Sequence, residues 1–210
     1  GQSTSLWKQG DSGAWSMAQT FLFDQDSLAE DVVAHFFDAN GDGAADLLVG
    51  SGGIEFSDFA PSYQDRLYLN DGKGNFSRSG QLFPATPTSF ILSWDGDQDG
   101  DLDLIVGQRG FPFGYGIAVG VQFWKNDGKG NFTDESTTLG KPFASLGMLT
   151  DGALADLDGD GKTELLLAGE WMAVQVFTFD QGAWINRTTQ FGLENMRGFW
   201  KRIYLGDLNG

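Results

Sequence analysis

DGDQDGDLD, from Asp95 to Asp103, sets an acid on every second residue and a glycine in sixth place. The same frame returns as DANGDGAAD (Asp38 to Asp46) and DLDGDGKTE (Asp156 to Glu164). Oxygen-bearing side chains stand at positions 1, 3, 5 and 9 each time. They are Asp38, Asn40, Asp42 and Asp46; Asp95, Asp97, Asp99 and Asp103; and Asp156, Asp158, Asp160 and Glu164. A fourth copy, DLNG, begins at Asp207 and runs to the last residue, so the chain reads as a piece of a longer repeat protein.

This pattern is a loop suited to a hard cation. Calcium takes 6–8 oxygens at about 2.3–2.6 Å in flexible geometry. Short acidic arms at alternate positions put several oxygens on the concave side of one turn. Glycine at position 6 (Gly43, Gly100, Gly161) permits the sharp reversal. Position 7 can contribute its backbone carbonyl whatever its side chain, which explains why Ala44, Asp101 and Lys162 all stand there. About three calcium sites follow. Magnesium fits less well, because it resists an all-protein cage. An EF-hand shares the opening of the motif but needs Glu at position 12 and flanking helices. Here position 12 is Val49, Val106 or Leu167, and the flanks are apolar strands. The remaining alternative is an acidic hairpin with Asx-turns and no metal.

The loops open at Asp38, Asp95, Asp156 and Asp207, a period of 57, 61 and 51 residues. A glycine-rich turn followed by an aromatic recurs in phase: QGDSGAW (9–15), NDGKGNF (70–76), NDGKGNF (126–132) and FDQGAW (179–184). Each unit reads as four strands. The first enters the acidic loop (DVVAHFFD, TSFILSWD, DGALAD, KRIYLGD) and the second leaves it (LLVGSG, LIVGQ, LLLAG). The third (DRLYLN, VQFWKN, VQVFTF) turns through the glycines into the fourth (FSRSGQLF, FTDESTTL). A period near fifty with short strands predicts an all-β fold, a β-propeller of four-stranded antiparallel blades with a calcium loop between strands one and two.

The single segment 1–210 then holds a half blade (5–22), blades at 28–84, 88–140 and 147–190, and the start of another at 198–210. That is about 3.75 blades, or fifteen strands. Ring closure would come from a small four-bladed ring stitched from both termini, from a second copy as a homodimer, or from further blades of a longer parent.

Composition agrees. The formal charge is −16, and twelve of the 29 acids lie in the three complete loops. Such acidity repels nucleic acid and anionic membrane. There are no cysteines, which removes disulfides, thiolate zinc sites and cysteine nucleophiles. No apolar run is long enough for a membrane span. His35, the one histidine, sits in an apolar strand and reads as structural rather than as part of a Ser-His-Asp triad. The sequons at Asn75, Asn131 and Asn186 fall where turns want Asn anyway.

The motifs DRLYLNDGKGNF, DGDQDGDLDLIVG and ADLDGDGKTELLLAGEW resemble the FG-GAP repeats of integrin α-subunits. They are closer still to the related VCBS repeats of bacterial surface proteins and cartilage-acidic-protein-like chains. The resemblance covers nearly the whole chain. It implies a calcium-stabilised propeller, extracellular or at the cell surface, serving adhesion or ligand binding. No Gly-Ala-Pro follows the Phe-Gly position, so integrin ligand recognition does not carry over.

In such blades the loops joining strands two and three emerge opposite the calcium loops. Two are long, 51–64 and 107–120, and a short one surrounds Glu170. They offer Phe56, Phe59, Tyr63, Arg109, Phe111, Phe113, Tyr115, Glu170 and Trp171 as a face for a protein or carbohydrate ligand. The alternative is that these side chains pack on one another to cap the core or bury against further blades of a longer parent. The reading is non-enzymatic, with structural calcium. The rivals are a propeller enzyme acting on polysaccharide or phosphate esters and a scaffold that merely spaces other domains. The enzyme would need clustered Arg, Lys, His or Tyr, and the sequence displays no such cluster.

Overall fold

The computed structural model describes residues 4–57 and 59–207, and in them the short apolar runs pair into antiparallel sheets. Strands β1 (Leu6–Gln9) and β2 (Trp15–Ala18) form a hairpin. Four-stranded sheets follow in chain order. The first is β3 (Asp31–Phe37), β4 (Asp46–Ser51), β5 (Arg66–Asn70) and β6 (Phe76–Arg78). The second is β7 (Thr88–Trp94), β8 (Asp103–Gln108), β9 (Val121–Asn126) and β10 (Phe132–Asp134). The third is β11 (Met148–Ala155), β12 (Glu164–Ala173), β13 (Gln175–Asp180) and β14 (Ala183–Asn186).

Successive residues of a strand point to opposite faces, and here both faces are covered. On β8, Leu104 and Val106 join Leu48, Leu67 and Trp124 in the core shared with the first sheet. Ile105 between them joins Phe123, Phe143, Leu165 and Phe177 in the core shared with the third. Leu47 and Val49 of β4 likewise meet Phe23, which lies on helix α1 (Thr20–Asp24) after the first hairpin. This is why the second strands are unbroken apolar runs. The entering strands are neighbours: β3 lies against β7, and β7 against β11. Each carries a register shift at its start, at Val32, Ser89 and Thr150, six residues before the first acid of its loop.

Glutamine side chains lock neighbouring units. Gln19 donates to the Phe76 carbonyl at 2.8 Å and accepts from its N–H at 2.6 Å. Gln81 grips Phe132 in the same way at 3.1 and 2.9 Å. Each amide thus satisfies a backbone pair at the start of a strand.

Three expectations change. FTDESTTL does not continue as a strand. Asp134 accepts the Ser136 N–H at 2.8 Å, Ser136 Oγ accepts the Phe123 N–H at 3.0 Å, and the chain coils into α2 (Ser136–Leu139). KRIYLGD forms no strand over 201–207; the fifteenth strand is instead β15 (Arg197–Phe199), which adds to β12. Thr150 Oγ donating to the Trp200 carbonyl at 2.8 Å and the Ile203 N–H donating to Asp151 at 2.7 Å hold this segment beside β11. Finally, FSRSGQLF is a strand only over Phe76–Arg78; of the landmark aromatics, Phe76, Phe132 and Trp184 are buried and Trp15 is exposed. Of the fourth loop copy, DLNG, all but Asp207 lies outside the described residues.

Candidate metal centre

The acidic loops fold by using part of their own oxygen to tie down backbone. Asp38 accepts the N–H groups of Gly41 and Gly43, each at 2.8 Å, and Asp156 those of Gly159 and Gly161 at 2.8 and 3.0 Å. Asp95 accepts that of Gly100 at 3.2 Å. The position-6 glycines have φ of 83°, 93° and 83°, the left-handed region expected of them. Position 4 is also left-handed, and there the second loop holds Gln98 at φ 61° where the others have glycine. At position 7 the N–H groups of Ala44, Asp101 and Lys162 donate to the position-5 acids Asp42, Asp99 and Asp160 at 2.8, 3.0 and 2.8 Å.

The position-9 acids join loop to sheet. Asp46 is buried and accepts from Ala39 N–H at 2.9 Å and Asn70 N–H at 2.7 Å. Glu164, equally buried, accepts from Leu157 N–H at 2.9 Å and Thr178 Oγ at 3.1 Å. Asp103 accepts from Asn126 N–H at 2.8 Å. Burial pushes its carboxyl up to about 6, and the like charges of Asp97 and Asp99 push the same way. Burial raises Asp46 as well, against those two backbone hydrogen bonds.

Two loops gather acids closely enough to share one ion. Asp95, Asp97 and Asp99 each bring an oxygen within 4.8 Å of the others, and so do Asp156, Asp158 and Glu164. Among the described residues the acids of the first loop, Asp38, Asp42 and Asp46, do not. Both groups include the position-3 acid, Asp97 or Asp158, and the first loop has Asn40 there, whose amide donates to Asp42 at 3.0 Å.

The second loop supplies the test of fit. Asp95 Oδ1 is buried and has no hydrogen-bond partner among the described residues. A carboxylate oxygen only accepts, so burying it without a donor costs free energy that a bound cation restores. The donor set therefore fits a hard cation. Sequence reasoning missed Lys125, whose ammonium pairs with Asp97 and stands 3.6 Å from Asp99. That pair is exposed, so it contributes little and a divalent ion can displace it. The signal was the Lys in VQFWKN, one residue beyond the Leu104–Trp124 pair and so across from Asp103.

The glycine turns repeat with matching bonds. Asp71 accepts Lys73 N–H at 2.8 Å and Asn75 Nδ2 at 2.8 Å; Asp127 accepts Lys129 N–H and Asn131 Nδ2, each at 2.9 Å. Asn75 and Asn131 thus serve their turns. Asn126 Nδ2 donates to the Ala39 carbonyl at 2.9 Å, which brings the first acidic loop against the glycine turn at 126–132.

The two long connections also meet, through Phe113 N–H donating to the Ile54 carbonyl at 3.2 Å. Phe56, Phe59, Phe111, Phe113, Tyr115 and Trp171 are exposed. Tyr63 is not, since it is fully buried and its hydroxyl bonds the backbone of Phe56 at both N–H (2.7 Å) and carbonyl (3.0 Å). Glu170 is not either. No loop surrounds it, because β12 runs through Gly169, Glu170 and Trp171 to pair with β15. Its carboxylate takes hydrogen bonds from Arg109 at 2.8 Å, Tyr115 at 3.0 Å and Lys201 at 2.5 Å. Burial pushes Glu170 up, but the hydrogen bonds from Lys201, Tyr115 and Arg109 outweigh it and hold the carboxyl below its usual value. The sequence reading found no basic cluster; the fold assembles one by bringing Arg109 to the distant pair Lys201 and Arg202. His35 packs on the Phe37 ring at 5.5 Å, and burial lowers its pKa.

Among the described residues no helix is long and apolar enough to cross a membrane. No curated protein matches the chain. Residues 95–167 run from the first acid of the second loop into the second strand of the third sheet. They match the family described as FG-GAP-like repeat. With the orphaned Asp95 oxygen, two three-acid groups and two sheets built alike around them, this match places that stretch of the chain in the FG-GAP repeat family.

Proposed function

We propose that the protein is a calcium-binding, integrin-like β-propeller module, extracellular or at the cell surface. It serves adhesion or ligand binding, with structural rather than catalytic calcium. The observation that carries this reading is the buried, unpartnered Asp95 Oδ1 within the Asp95, Asp97 and Asp99 group. The propeller is supported by sheets that pack face to face in chain order, with their entering strands side by side. Calcium bound at the loops would neutralise crowded carboxylates and fix the turn between the first two strands of a blade. The ligand, a protein or a carbohydrate, would meet the aromatic connections 51–64 and 107–120. Arg109, Tyr115 and Lys201 are all engaged by Glu170, which favours a fixed binding wall over groups free to move protons.

Asp158→Ala tests the calcium. Within the loop its carboxylate accepts only a long bond, from Asp160 N–H at 3.3 Å. In saturating calcium the substitution is expected to lose about 2.7 kcal/mol, the contribution of one site at a hundredfold excess over its dissociation constant. In EDTA it should change stability little. Equal losses in both conditions, measured by urea unfolding, would contradict a structural metal.

A further inference from the structure

The entering strands leave a cavity of about 470 Å³. Val32, Ser89 and Thr150, the three register-shift residues, all line it, so three sheets build one wall. Its size falls in the range of small-molecule sites, about 300–1,000 Å³.

The lining carries both charges. Glu30 and Glu55 meet at Gly53. Their Oε2 atoms lie 2.6 and 2.5 Å from the point where a Cβ at that residue would stand, so any side chain there would displace them. Neither has an ion-pair partner among the described residues. Arg109, Lys201 and Arg202 line the same cavity. Each of these has a carboxylate against it: Glu170 holds Arg109 and Lys201, and Asp151 stands 3.6 Å from Arg202. Hydrogen-bond donors and acceptors therefore share one lining, and the charges nearly cancel. A net anion would be repelled by Glu30 and Glu55, and a net cation by Arg109, Lys201 and Arg202. Hydroxyl groups, each one donor and two acceptors, satisfy both kinds of group without carrying charge.

Aromatic rings complete the site. Phe111 and Tyr115 line the cavity and are exposed. Tyr115 is fixed from two directions, by Glu170 and by Trp171 Nε1 at 3.4 Å. Trp171 is 68% exposed and sits at φ 61°, a strained conformation for a bulky residue that persists only where the surroundings impose it. Ring faces of this kind suit the C–H face of a sugar.

We propose that this cavity binds a neutral sugar residue, its hydroxyls bridging Glu30 and Glu55 to Arg109, Lys201 and Arg202 while its ring lies on Phe111 and Tyr115. The inference rests on the ligand-binding part of the reading above and names the ligand class.

Trp171 beside Tyr115 gives the readout. The calcium-loaded protein would be titrated with methyl glycosides of glucose, galactose, mannose and fucose, with glucuronate, glucosamine and glycine as charged controls. Expected is a saturable tryptophan-fluorescence change with at least one neutral glycoside, at a dissociation constant of about 1–10 mM. The charged controls should bind at least about tenfold more weakly. Glu55→Gln and Arg202→Gln should each weaken the glycoside about tenfold while the melting temperature stays put. No response to any neutral glycoside up to about 0.1 M overturns the proposal. Tighter binding of glucuronate, glucosamine or glycine overturns it too. If either happens while calcium still raises the melting temperature, the sugar assignment alone fails and the calcium module stands.

Discussion

Phe143→Ala is expected to destabilise the protein by about 3–5 kcal/mol, the usual cost of emptying a buried aromatic site. Phe143 belongs to no strand. It lies in the connection between the second and third sheets, in a 3-10 turn at Lys141–Phe143, and is fully buried. Its ring lies 5.2 Å from Phe123 of the second sheet, and 4.4 Å from Phe177 and 5.9 Å from Trp184 of the third. Its carbonyl stands 2.6 Å from where a Cβ at Gly120 would be, so backbone is packed tightly around it and cannot collapse into the gap. At this chain length each kcal/mol lowers the melting temperature by about 2–4 °C. Phe143→Leu, which keeps most of the volume, should cost less than half as much. Urea unfolding followed by tryptophan fluorescence checks both, and a loss under about 1 kcal/mol for the alanine variant would contradict this packing.

Arg66→Ala should cost about 3 kcal/mol, the low end of what removing one partner of a buried pair costs, because water can reach its partners. The Arg66 side chain is 3% exposed and pairs with Asp31, with Asp26 at 3.9 Å and with Ser51 Oγ at 3.0 Å. Asp26 keeps Arg78 at 2.8 Å, whereas Asp31 loses its ion-pair partner and keeps only the Thr4 hydroxyl. Adding Asp31→Asn should recover part of the loss. The deficit should also grow with pH, because of Asp65. Burial pushes Asp65 from 3.8 up to about 7, against hydrogen bonds from Ser51 N–H and Thr88 Oγ and the attraction of Arg66. An acid raised in the folded state holds its proton longer there than when unfolded, so stability falls as pH rises from 3.8 towards 7. Without Arg66 that fall is steeper and reaches higher pH. Unfolding at about pH 5 and about pH 8 should therefore show the larger Arg66→Ala deficit at pH 8. An equal or smaller deficit there would contradict the coupling.

The elements legible in sequence were those set by local chemistry. Alternating acids, left-handed glycines and Asp-Gly turns specify their own hairpins, so the four-stranded sheets and the position-6 glycines stand where the pattern predicts. What escaped depends on residues distant in sequence. Gln19 and Gln81 look like ordinary polar loop residues until the next unit presents a backbone pair to them. Glu170 read as a loop acid because nothing local shows that Arg109 and Lys201 converge on it. KRIYLGD has the composition of an entering strand, yet Thr150 and Asp151 tie the Trp200 and Ile203 backbone beside β11, and β15 forms earlier. The first acidic loop gathers no three-acid group among the described residues, and that much was legible, because Asn40 stands where the other loops have Asp97 and Asp158.

Thermal unfolding of the unmodified protein in EDTA, in calcium and in magnesium tests the central claim most directly. If Asp95, Asp97 and Asp99 and the matching third-loop acids hold structural calcium, the melting temperature should rise with calcium concentration. The rise should continue beyond the dissociation constant, as ligand linkage requires, and magnesium should give a much smaller one. Identical melting curves in EDTA and in saturating calcium would mean that these loops are acidic turns and that calcium plays no part in the fold.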